Sequence, residues 1–75
     1  MKDFTMKDMY KLREDFERYC ERAEQHEFIV LAILQSNMNR TIEKAEKQTE
    51  KGEEPDWDSL RKMDEVVRYT IGDGR

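Results

Sequence analysis

Residues 28 to 34, Phe-Ile-Val-Leu-Ala-Ile-Leu, form the longest stretch without a polar side chain in a sequence that is 43% charged. Seven consecutive apolar residues on a helix project in every direction, so one neighbouring helix cannot cover them all. A fold for this chain must either wrap that collar or present part of it to another surface. The chain offers little to wrap it with: 75 residues, of which 36% are hydrophobic. That length allows a single domain, residues 1–75, with a small core. At an ordering cost of ~1.5 kcal/mol per residue, such a chain depends on well-packed helices or on self-association.

The pattern around the collar is helical. Between Met1 and Gly52 there is neither proline nor glycine. At 100° per residue, Met9, Leu12, Phe16, Tyr19, Cys20, Ala23, Val30, Leu34, Met38, Ala45 and Thr49 fall in one sector, with Glu27 the sole polar intruder. Thr5 or Asp3 can cap the start, and Asp8 suits the positive end of the helix dipole. Ser36-Asn37-Met38-Asn39 is a candidate kink, yet the stripe passes through it without a phase slip. The spacing predicts one continuous helix over about 6–51. Gly52 then suits a left-handed helix stop, and Pro55 among Glu53, Glu54, Asp56 and Asp58 marks a new N-terminus. A second helix over about 56–71 carries Trp57, Leu60, Met63, Val67 and Ile71 on one face, ends at Gly72, and leaves Asp73-Gly74-Arg75 as a frayed tail.

These lengths predict an all-α helical hairpin that assembles as a homodimeric helical bundle. A second helix of some sixteen residues reaches back only to about Leu34, leaving the stripe from Met9 to Ala23 bare. Two long helices crossing antiparallel near Ile29 and Val30 would cover it, with a self-complementary interface as a two-fold axis requires. The expected interface residues are Phe16, Ala23, Phe28, Ile29, Val30, Leu31, Ile33 and Leu34. A parallel or tetrameric bundle through the same collar is the alternative.

Chemistry-bearing constellations are weak. Cys20 is the only cysteine, which fits a reducing, cytoplasmic setting, and His26 the only histidine. Six residues apart on one helix, they stand about 120° apart and cannot chelate a metal together. Glu27, on the stripe, is expected to pair across the dimer with Arg13 or His26. No glycine-rich loop, nucleophile elbow or catalytic dyad is present, so an enzyme and a cofactor are not expected. No apolar run approaches the ~18 residues of a membrane span, and Met1-Lys2-Asp3 opens no signal peptide.

Two charged rows remain. Glu14, Glu17, Glu21 and Glu24, continued by Glu43, Glu46 and Glu50, form an acidic flank. Lys7, Lys11, Arg18, Arg22, Arg40, Lys44, Lys47 and Lys51 form a basic one. With a net charge of −4, both signs interspersed and no aromatic interleaved in the basic row, nucleic-acid binding is disfavoured. The leading expectation is a non-enzymatic interaction module: a homodimeric adaptor or inhibitor that occupies a surface of a larger protein. The acidic row would imitate a phosphate backbone and block a basic groove, as a phage-encoded antagonist of a host nucleic-acid or defence enzyme would. The alternatives are a nucleic-acid-binding hairpin using Lys11, Arg18, Arg22, Arg40, Lys44 and Lys47, and a structural subunit of a larger assembly.

Overall fold

The computed structural model describes residues 3–72. The first helix, α1, spans Met6–Arg22. It is started by Thr5, whose backbone N–H donates to Asp8 Oδ2 at 2.8 Å, so Asp8 serves the helix start as well as its dipole. α1 then stops well short of residue 51. Ala23 and Glu24 adopt extended backbone, with ψ of 149° and 157°, and a 3₁₀ turn at Gln25–Glu27 leads directly into α2, Phe28–Glu50.

The expected continuous helix is therefore two helices, and the expected hairpin is a bundle of three. The break uses no glycine and no positive φ; among the described residues positive φ occurs only at Gly52 and Gly72. It is held by Glu27. The Glu24 N–H donates to Glu27 Oε2 at 3.0 Å, the Glu27 N–H donates to the Glu24 carbonyl at 2.9 Å, and Tyr19 Oη donates to Glu27 Oε1 at 3.3 Å. The polar intruder on the apolar stripe thus staples the turn within one chain, where pairing with Arg13 or His26 across a dimer was expected. Glu27→Ala removes the Glu24 and Tyr19 bonds, and is expected to cost about 1 kcal/mol in urea unfolding. A change within experimental error would show that the turn is set by packing alone.

The C-terminal end of α2 follows the sequence reading. The Glu53 N–H reaches the Gln48 carbonyl at 2.8 Å and the Gly52 N–H reaches Thr49 at 3.0 Å, with Gly52 at φ +76°. This is the Schellman closure, and the left-handed φ is why glycine stands there. The third helix, α3, spans Trp57–Thr70. Asp56 caps it, its carboxylate accepting from the Ser59 N–H at 3.3 Å and the Ser59 hydroxyl at 2.8 Å. Asn37 lies within the unbroken α2, so the helix does not break at Ser36–Asn39. The tail 73–75, expected to fray, lies outside the described residues.

The helices run up, down and up. Tyr10 Oη donates to Glu46 Oε2 at 2.8 Å while Tyr19, further along α1, bonds Glu27 just before α2, so α1 runs antiparallel to α2. Arg68 meets Asp15 at 3.5 Å, and Phe4 stacks edge-on against Trp57 at 6.3 Å, so α3 runs parallel to α1. Between them lie Met9, Leu12 and Phe16 of α1, Leu31, Met38, Ile42 and Ala45 of α2, and Leu60 and Val67 of α3. All are buried inside a single chain. This removes the reason for which a dimer was expected: the Met9–Ala23 stripe is covered by the chain's own α2 and α3. Phe16 and Leu31, expected at a subunit interface, are sealed in this core, and Ala23 and Leu34 pack half-buried at its edge.

Candidate interaction surface

The collar is where three-helix packing fails to bury what the sequence supplies. Leu31 points inward in phase with Met38 and Ile42 and is 5% exposed. Its neighbours occupy the other azimuths of the same two turns, beyond what α1 and α3 cover. Ile29 is 75% exposed, Val30 62%, Ile33 60% and Phe28 51%. By helical phase, Ile29 and Ile33 stand on the outward ridge of α2, Val30 on the flank toward α3 and Phe28 on the flank toward α1. Because α3 runs antiparallel to α2, its C-terminal turns lie at this same end. There Val66 and Tyr69 are also exposed. The four collar side chains alone present on the order of 400 Å² of apolar surface, within the range of the largest patches on soluble monomers, which are often functional.

The same ridge changes character further along. After Ser36 and Asn37 it carries Arg40, Lys44, Lys47 and Lys51, all exposed. This is half of the basic row. The other half, Lys7, Lys11, Arg18 and Arg22, stays on α1, where Lys11 pairs with Asp15 at 3.8 Å and Arg18 and Arg22 border a shallow cleft with Ile71, the residue after α3. Folding at residues 23 and 24 thus divides the basic row between two faces of the bundle.

The acidic row is divided as well. Tyr10 sets the register against Glu46, so Glu43, Glu46 and Glu50 lie level with the first turns of α1, together with Lys47 and Arg13, while Glu17 and Glu21 lie level with the N-terminal half of α2 and Glu14 faces outward by helical phase. Glu24 lies in the turn, 3.5 Å from His26. Between α1 and α2 the bond to Glu46 raises the pKa of Tyr10 above its ordinary 10.0, because ionising the phenol would forfeit the bond and set two anions together. A raised folded pKa contributes stability that is complete below pH 10 and lost as pH rises through the folded value. Tyr10→Phe is therefore expected to remove part of the alkaline destabilisation of the wild-type chain in thermal melts, and identical alkaline slopes would contradict it.

Cys20 packs half-buried against the core, where burial pushes its thiol pKa up, as suits a small apolar side chain and not a nucleophile. Among the described residues no group of three or more His, Cys, Asp or Glu side chains is arranged to hold a metal ion. No helix there is long and apolar enough to cross a membrane. Comparison with protein-family models, curated proteins and solved structures gave no match. Sequence reasoning did not place Val66 or Tyr69 on an interaction surface, because both lie off the apolar face of α3.

Proposed function

We propose that this chain is a non-enzymatic protein-interaction module, an adaptor or inhibitor that works by occupying a protein surface through the first two turns of α2. One observation carries the reading: Phe28, Ile29, Val30 and Ile33 stand half to three-quarters exposed on a chain whose core is already complete without them. Large apolar side chains that contribute nothing to the fold are retained at a cost in solubility, and contiguous ones mark docking sites. The acidic seam between α1 and α2 supports a second form of the same class, an anionic face set into the basic groove of a nucleic-acid enzyme. What favours it is the exposed cluster Glu43, Glu46 and Glu50 at one end of the seam. The division of the basic row weighs against the nucleic-acid-binding alternative, since a phosphate backbone is tracked by a continuous cationic path.

Ile29→Lys with Ile33→Lys is expected to leave helicity and thermal stability unchanged while abolishing cross-linking to the bound protein in native extracts. Glu17→Lys, Glu21→Lys and Glu46→Lys together test the acidic seam in the same assay. If the collar variant retains all cross-links and the acidic variant loses them, the seam is the working surface and the collar is not.

A further inference from the structure

We infer that the exposed ridge of α2 is an interface between two copies of this chain, with the α2 helices antiparallel about a two-fold axis midway between Ile29 and Ile33. This rests on the reading of the collar as a docking surface and names its occupant. The two most outward side chains, Ile29 and Ile33, are one turn apart on the ridge and both at least 60% exposed. An antiparallel copy sets each against the other's counterpart, Ile29 on the partner's Ile33 and the reverse, which makes the patch self-complementary. Ala32 and Ser36 beside them are small and exposed, which lets two helix ridges approach closely.

Charge selects the orientation. Arg40 lies seven residues beyond Ile33, about 10 Å along the ridge. Glu24 lies five residues before Ile29, and the 3₁₀ turn between them brings that span to about 9 Å. In the antiparallel arrangement Arg40 therefore comes level with the partner's exposed Glu24, whose carboxylate lies 3.5 Å from its own His26, twice over by symmetry. A parallel arrangement would instead stack Arg40, Lys44 and Lys47 each against its own copy, which like-charge repulsion opposes. The area is consistent with a dimer at the small end of the range. Two collar patches with their flanks approach the ~1,000 Å² floor of specific interfaces, which suits micromolar association of folded monomers and not an obligate, intertwined dimer.

Sedimentation equilibrium of the full chain across the micromolar range, with circular dichroism on the same samples, tests this. Wild type is expected to dimerise reversibly, and Ile29→Asp with Ile33→Asp to be a folded monomer. Arg40→Glu and Glu24→Arg are each expected to raise the dimer Kd by about tenfold, through two symmetric pairs turned from attraction to repulsion, and the two together to restore it. A wild-type monomer at the highest concentration would overturn the second-copy assignment. If the collar variant then still lost a cross-linked foreign protein, the docking reading would stand with a different occupant; if it lost none, both would fail. Charge reversals without mutual rescue would overturn the antiparallel register.

Discussion

Phe16→Ala is expected to unfold the chain at room temperature. Phe16 has no solvent exposure and is the largest side chain sealed in the core. Removing a buried aromatic ring costs about 3–5 kcal/mol, through lost transfer free energy and the cavity left behind. Small single-core domains without disulfide or metal hold about that much stability in total. The fully buried face of α1 is only Met9, Leu12 and Phe16, so the Phe16 ring supplies much of what docks the helix. Far-UV circular dichroism with urea titration measures the effect. A cooperative transition displaced by less than about 1 kcal/mol would mean that α1 is not held against α2 and α3 as described.

The second large effect is a contrast between two residues of the collar. Leu31→Asp puts a carboxylate where the side chain is buried among apolar neighbours, at a cost of several kcal/mol, and should abolish folding. Ile33→Asp puts the same carboxylate two residues on, where the side chain faces outward, and should leave helicity and melting temperature nearly intact. In a continuous helix dimerised through the collar, Ile33 would lie on the two-fold axis and its substitution would be as damaging as that of Leu31. Circular dichroism and thermal melts of the two variants therefore separate the folded-back bundle from the straight-helix dimer. Equal loss of structure in both would favour the straight helix.

The turn at Ala23-Glu24 is the place where the periodic pattern misled. Helix breaks are legible when glycine, proline or a strong capping residue punctuates them, and here none does. The backbone leaves the helix at two residues by rotation of ψ alone. The apolar stripe keeps its phase across the gap because both α1 and α2 must present an apolar face to the same core, and two such faces can be in register by spacing without being on one rod. The one local signal was Glu27, a carboxylate on an otherwise apolar stripe, three residues after the Glu24 whose N–H it accepts. Glutamate is a poor N-cap type, so Glu24-x-x-Glu27 did not read as a helix start. Where strong punctuation exists, the reading and the structure agree: Gly52 closes α2, Asp56 and the residues around Pro55 open α3, and Gly72 ends it.

The sequence by itself determined that this chain is helical, where its C-terminal helix begins and ends, and that the run at residues 28–34 has more apolar surface than the chain can cover. Those follow from local chemistry: side-chain periodicity, capping groups and a count of apolar residues. Only the tertiary structure decided that α1 turns back to cover its own stripe, that Leu31 is core while Ile29 and Ile33 are surface, and that the basic row is divided between two helices. The reason is that burial is relative. A short chain with an uncovered stripe can satisfy it with a second copy or with itself, and the choice turns on two ψ angles and a few weak hydrogen bonds, which periodicity along the sequence does not encode.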